Sequence, residues 1–269
     1  MRLLDKVIFS ASDLHIGSPM THPETIRAIE NGIVHSDIAI FSGDIWEGLA
    51  RHWPFRKRLQ ACKHTIERWA KKAAMCSTPK WQIYLDGNHE LPVYRNGFVN
   101  NEAADLMAAV KEHGKQFPHV VFHPKHWFQH GDAVFTHGHI ELGFIDTPHS
   151  WLRSRIERVT ELITPGLPTE LVMPRERTVR LIHKAMESEA LEGPVNHIVF
   201  GHLHTPFTGV SVPGLRLGGQ DIQFHNSGVS YKPRKLFNPL FMEFDGDFVS
   251  NVRQSNLQHL MHPERAHGR

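Results

Sequence analysis

A chain of 269 residues, 40% of them hydrophobic, has the material for one sizeable α/β domain with an insertion. Its net charge of +2 does not mark a dedicated nucleic-acid binder, and no apolar run approaches the roughly 20 residues of a membrane span. The two cysteines, Cys62 and Cys76, exclude a disulfide framework and a cysteine-rich zinc site.

The first six residues lack an apolar leader and run almost directly into a strand, so a cytoplasmic location is the default expectation. Five short apolar stretches then read as buried strands, and each is followed by a polar motif. Val7-Ile8-Phe9-Ser10 precedes Ser12-Asp13-Leu14-His15, and Ile38-Ala39-Ile40-Phe41 precedes Gly43-Asp44-Ile45. Trp81-Gln82-Ile83-Tyr84-Leu85 precedes Gly87-Asn88-His89-Glu90, and Val134-Phe135-Thr136 precedes His137-Gly138-His139. His197-Ile198-Val199-Phe200 precedes Gly201-His202-Leu203-His204. In layered α/β folds, ligands gather at the carboxyl ends of strands, so these sequence-distant side chains are expected at one rim.

Other segments fill in the organisation. Arg51, Arg56, Lys57 and Arg58 cluster after the Asp44 motif, interleaved with Trp53 and Phe55, a composition that can grip phosphate or stack a ring. Leu59, Ile66, Trp69 and Ala73 then predict an amphipathic helix with lysines outside. Between His137 and His202, two helical patterns flank the breakers Pro165-Gly166-Leu167-Pro168: one through Leu152, Ile156, Val159 and Ile163, the other from Thr178 to Met186. This pair, with its arginines, is placed to form a cap over residues 146–192. Phe224-His225-Asn226-Ser227-Gly228 reads as a strand end with a glycine turn, and 241–249 as a terminal hairpin. One domain over 1–250 and a polar tail over 251–269 complete the expected layout.

Gly43-Asp44 or Gly87-Asn88 alone would be an ordinary turn. All five motifs together supply carboxylates, one amide oxygen and several imidazoles with no thiolate, a set suited to two adjacent divalent ions such as Mn²⁺, Fe or Zn²⁺. Two such ions can clamp a phosphoryl group and acidify a water.

In this order the motifs resemble the calcineurin-like metallophosphoesterase family, over roughly residues 7 to 230. The resemblance implies an α/β fold, a sandwich of two β-sheets flanked by helices. It implies two divalent metal ions, Mn first, with Fe, Zn, Ni or Mg as alternatives. Asp13, His15, Asp44 and His204 would hold one ion; Asp44, Asn88, His137 and His202 would hold the other, with Asp44 bridging. His89 would be the catalytic histidine beside the scissile phosphate. The implied activity is hydrolysis of phosphoester bonds by a metal-bridging hydroxide, with phosphodiesters or pyrophosphates favoured. Arg51, Trp53, Arg153, Arg155 and Arg158 are the candidate substrate contacts. The UDP-2,3-diacylglucosamine pyrophosphohydrolases are similar in carrying a helical insertion here. They commonly have arginine at the position of His89 and aspartate at that of His139, which counts against their lipid-precursor substrate. A nuclease, a nucleotide-sugar pyrophosphatase or a protein phosphatase is the alternative within the family. A non-catalytic metal-binding scaffold is the alternative outside it.

Overall fold

Strict alternation of side chains along the strands builds this molecule in four layers. The computed structural model describes residues 6–19, 21, 23–48, 53–91, 93–95, 98–138, 175–203, 206–217, 221–228, 230–231, 234–235, 239–255 and 260. Strand β1 (Lys6–Ala11) lies parallel to β2 (Ile38–Ser42), which is followed across the sheet by β3 (Trp81–Leu85) and β6 (Val120–Phe122), all parallel. On the other side of β1 comes the antiparallel hairpin of β14 (Leu240–Asp245) and β15 (Phe248–Gln254), completing six strands. The second sheet has five strands in the order β10-β11-β9-β8-β7: β7 (Trp127–His130), β8 (Ala133–Thr136), β9 (His197–Phe200), β10 (Phe207–Arg216) and β11 (Asp221–Asn226). Two-stranded ribbons β4–β5 (Val93–Arg95, Phe98–Asn100) and β12–β13 (Ser230–Tyr231, Arg234–Lys235) lie outside the two main sheets.

Alternate residues face opposite layers, as a period of two requires. Ile8, Ile40, Ile83, Leu85, Phe135, Val199 and Met242 point between the sheets and form one core. Phe9, Ala39, Phe41 and Tyr84 point the other way, onto helices α1 (Pro23–Val34), α2 (Phe55–Ala74) and α3 (Glu102–Gly114). Val134, Ile198 and Phe200 pack outward with Val179, Ile182 and Met186 of α4 (Arg175–Met186). Helix α2 forms as its periodicity predicts: Ile66, Trp69 and Ala73 are buried and Leu59 packs partly against them. No described helix is long and apolar enough to cross a membrane.

Among the described residues, the span expected as a polar tail, 251–269, includes parts of the scaffold. Strand β15 continues to Gln254, and Leu260 is buried in the α1–α2–α3 core, its carbonyl accepting a hydrogen bond from the Asn31 amide. Of the helical pair expected between His137 and His202, α4 is present and packs on the flank of the second sheet; residues 139–174 lie outside the described residues.

Candidate metal centre

The motif-bearing ends of β1, β2, β3, β8 and β9 converge. The ladder between β1 and β2 carries on beyond the strands into the two loops. Gly43 O accepts from Asp13 N at 3.1 Å, Asp44 O from His15 N at 2.9 Å, and Ile16 O from Glu47 N at 2.9 Å. Threading the two loops this tightly forces unusual backbone. Asp13, His15, Asp44 and His202 have φ of 54°, 49°, 53° and 67°, and they are the only described non-glycine residues in the left-handed region. Asp and His tolerate that region better than most residues, yet strain of this kind gathers at functional sites. All four are residues that the motifs singled out.

Two clusters meet at Asp44. Ligating atoms of His15, Asp44 and His89 lie within 4.8 Å of one another, and so do those of Asp44, His137 and His202. In the second cluster, the Asn88 side-chain oxygen sits 3.0 Å from His137 Nε2 and 3.1 Å from His202 Nδ1, while Asp44 Oδ2 is 3.3 Å from His137 Nε2. His137 Nδ1 lies 2.9 Å from the Ser42 carbonyl, which can only accept, so Nδ1 carries the hydrogen. Its Nε2 then faces two oxygens, as a lone pair in the neutral ring or as a second N–H in the imidazolium. With the ring neutral, acceptors face acceptors, which a cation placed among them would stabilise, and the ligand types fit a divalent ion. Asp13 turns its carboxylate toward the His202 backbone N–H at 3.1 and 3.2 Å, joining the β1 and β9 loops.

Burial concentrates the charge. Asp13, His15, Asp44 and His137 are all buried, whereas Asn88, His89 and His202 are half-buried and form the open side. Burial disfavours the Asp44 carboxylate, but the surrounding His137, His89 and His15 imidazoles outweigh it and hold its pKa well below the usual range. Burial likewise lowers His137, and the Asp44 carboxylate overrides it, pushing the imidazole up to about 10.

The arrangement also contains residues to which the motifs assigned no role. Glu47 Oε1 is 3.0 Å from His89 Nδ1, and its Oε2 is 3.3 Å from His15 Nδ1. Burial would raise the Glu47 pKa, yet the two histidines bring it well below the ordinary carboxylate range. Glu90, last in Gly87-Asn88-His89-Glu90, accepts backbone N–H bonds from Gly87 (2.6 Å), Asp44 (2.9 Å) and Trp46 (2.8 Å), clamping the β3 loop onto the β2 loop. Asn226 donates to Gly201 O at 2.8 Å, and the Ser227 hydroxyl meets that of Ser12 at 2.8 Å, so this stretch braces two ligand loops. Glu47 lies three residues after Asp44, and that spacing was the available signal.

The basic cluster divides. Arg58 is fully buried, its guanidinium donating to Gly48 O (2.6 Å), Glu47 O (3.2 Å) and Trp53 O (3.2 Å) and pairing with Glu102 at 2.5 Å. It ties the loop after Asp44 to α2 and α3 instead of meeting substrate. Trp53 is half-buried, with the Lys57 ammonium 5.2 Å from its ring centre. Arg51, Arg153, Arg155, Arg158, His139 and His204 lie outside the described residues.

Against solved structures, the purple acid phosphatase PPD1 from yellow lupin (Lupinus luteus) seeds aligns over 94% of this chain at a TM-score of 0.50 and 12% identity. This chain has the calcineurin-like metallophosphoesterase fold. It spans 52% of the lupin metallophosphoesterase's length. Vacuolar protein sorting 29 from Cryptosporidium parvum is similar over 94% of this chain and 97% of its own, at 12% identity and a TM-score of 0.41. The phosphopantetheinyl hydrolase PptH from Mycobacterium tuberculosis aligns over 93% and 95%, at 17% identity and a TM-score of 0.39. No family model and no curated protein matches the sequence.

Proposed function

We propose that this protein is a metal-dependent phosphoesterase acting on phosphodiester or pyrophosphate bonds, with Mn²⁺ as its first-choice ion. The observation that carries the reading is the convergence of Asp44, Asn88, His137 and His202 beside a second cluster that shares Asp44. Asp44, Asn88, His137 and His202 would hold one ion; Asp13, His15, Asp44 and His204 would hold the other. Bound there, two ions supply the positive charge that orients a phosphoryl group and acidifies water.

The chain's own groups do the rest. Glu47, a carboxylate, can only accept from His89, so the Nδ1 of His89 carries hydrogen and its Nε2 faces the site, 3.8 Å from Asp44 Oδ2. A half-exposed imidazole so oriented can hold a proton for the leaving oxygen. The Asn88 oxygen is neutral, so it adds a ligand without cancelling charge that the phosphate needs.

Turnover of bis-p-nitrophenyl phosphate after loading with Mn²⁺, with metal content measured in parallel, tests this. Metal-dependent release of nitrophenol is expected. Two bound ions with no turnover of that diester, of a nucleotide-sugar or of a phosphomonoester would make the protein a metal-binding scaffold.

A further inference from the structure

The inward stripe of α4 opens on a charge. Val179, Ile182 and Met186 are buried against the second sheet, and Arg175 stands four, seven and eleven residues before them, the spacing of one helix face. An apolar side chain would suit that position, and an exposed arginine occupies it. Its guanidinium carbon lies 4.6 Å from the ring centre of Phe207. Among the described residues Arg175 has no acidic partner, because its neighbour Glu176 is engaged by Arg180 at 2.8 Å.

The Arg175–Phe207 pair sits at the ligand end of the sheet. Phe207 opens β10 opposite Asn226 of β11, and Asn226 is level with Phe200 of β9. The Asn226 amide holds the Gly201 carbonyl at 2.8 Å, one residue before His202. Two strand spacings, roughly 10 Å, therefore separate the Phe207 backbone from the loop that carries His202. The Phe207 and Phe200 rings meet edge to face with 5.7 Å between centres, which fixes the surface that Arg175 lies over. Further along α4, Ile182 borders Gly138, the residue after His137, and would be 3.4 Å from a Cβ there. Helix α4 thus passes both ligand loops of the five-stranded sheet, with its first cation beside β10.

We propose that Arg175 is a specificity-determining residue that binds a second phosphate of the substrate, set back from the hydrolysed one by about those two strand spacings. A guanidinium lying over a ring keeps N–H donors at its rim, and these pair with a phosphate in fork geometry. The exposed N–H groups of the first turn of α4 add partial positive charge at the same end. A neutral or apolar substrate arm would leave both unused, and a small diester is too short to reach them. The inference rests on the phosphoesterase reading for the place of the first phosphate.

The test uses the full chain loaded with Mn²⁺ and a matched pair of chromogenic diesters. One is p-nitrophenyl hexyl phosphate; the other carries a second phosphate at the far end of its hexyl chain. Wild type should favour the second in kcat/KM by ~10-fold or more, the effect of one charge-assisted contact. Arg175→Ala should lose that preference while its rate on the plain diester stays at wild type. Arg175→Lys, which keeps the charge without the fork, should retain part of the preference. Arg177→Ala, on the opposite face of α4, should match wild type on both. A wild type indifferent to the second phosphate overturns the proposal. So does an Arg175→Ala protein that keeps the preference, or that slows both diesters equally as loss of a structural cover over Phe207 would. Equilibrium dialysis of hexane-1,6-diol bisphosphate against hexyl phosphate, in the same Mn²⁺, separates this inference from the hydrolase reading. Tighter binding of the bisphosphate that Arg175→Ala removes, in a protein that turns over neither diester, would refute the phosphoesterase and leave the role of Arg175 standing.

Discussion

Glu47 grips His89 by its Nδ1 at 3.0 Å while its other oxygen reaches His15 at 3.3 Å, so one carboxylate sets the orientation of two imidazoles from different motifs. Removing the charge without the shape should separate these jobs. Glu47→Gln is expected to keep metal content near wild type and reduce turnover. His89→Ala should retain both ions and lose turnover by roughly 10²–10⁴-fold, with a smaller loss on substrates whose leaving groups need no proton. Metal analysis beside kinetics checks both, and loss of an ion in His89→Ala would redraw it as a ligand.

Asp44 is common to both ligating clusters. Asp44→Asn should therefore weaken binding of both ions and abolish turnover, more severely than any change at a residue belonging to one cluster. Isothermal titration with Mn²⁺ reads this directly; two ions bound at wild-type affinity would remove its bridging assignment.

Gly87 has no room for a side chain. A Cβ there would overlap the Asp44 backbone nitrogen and Oδ1 and come within 2.8 Å of Glu90 Oε2. Gly87→Ala is expected to displace Asp44 and to cost metal affinity and activity. Gly193→Ala, where a Cβ would meet nothing within 4 Å, should behave as wild type.

Arg58 is a stability residue. Arg58→Ala would break the ion pair with Glu102 and remove the donors to three buried backbone carbonyls, destabilising the fold by about 3 kcal/mol in urea unfolding. Arg56→Ala, two residues earlier and on the exposed face, should change stability by less than about 0.5 kcal/mol.

A buried histidine pair in the second sheet sets an acid limit. Gly209 N–H donates to His225 Nδ1 at 3.2 Å, so His225 must donate from Nε2 to His197 Nδ1 at 3.1 Å. Burial, then the neighbouring His197, drops the His225 pKa to about 3 from an ordinary 6.5. The unfolded chain takes up that proton first, so the contribution is complete above pH 6.5 and is lost as pH falls toward 3. By pH 5 about 2 kcal/mol should be gone, and His225→Gln should flatten that part of the stability–pH curve. An unchanged slope in the variant would clear His225 of the effect.

The five motif-bearing strands were legible because each is a short apolar run closed by its own ligand motif, and all five occur where the runs placed them. The long β10 was not: Gly209, Pro213 and Gly214 interrupt the alternation, and its register with β11 shifts twice, although the end of β11 at Asn226 falls where Phe224-His225-Asn226 read as a strand end. Residue types flagged Asp13, His15, Asp44, His137 and His202 as potential ligands. Glu47 and Glu90 escaped notice because their roles exist only through contacts with other loops, to two imidazoles in one case and three backbone amides in the other. Arg58 and Arg56 are indistinguishable as letters; helical phase alone sends one inward and the other to solvent. A net charge of +2 likewise conceals helix α2 at +6, seven Lys and Arg residues against the single acid Glu67, because summation discards position.

Asp44 hangs from the six-stranded sheet, and His137 and His202 from the five-stranded one. An ion bound among them is therefore a clasp across the interface between two halves of the protein. Chelation should then register as mechanical loosening of that seam: sheet-to-sheet amides around Ile8, Phe135 and Val199 would exchange faster in EDTA than in Mn²⁺. The gain from the clasp grows with free ion concentration, reaching about 2.7 kcal/mol at a hundredfold excess over the dissociation constant. Metal supply would thus govern how long the protein survives as well as whether it turns over.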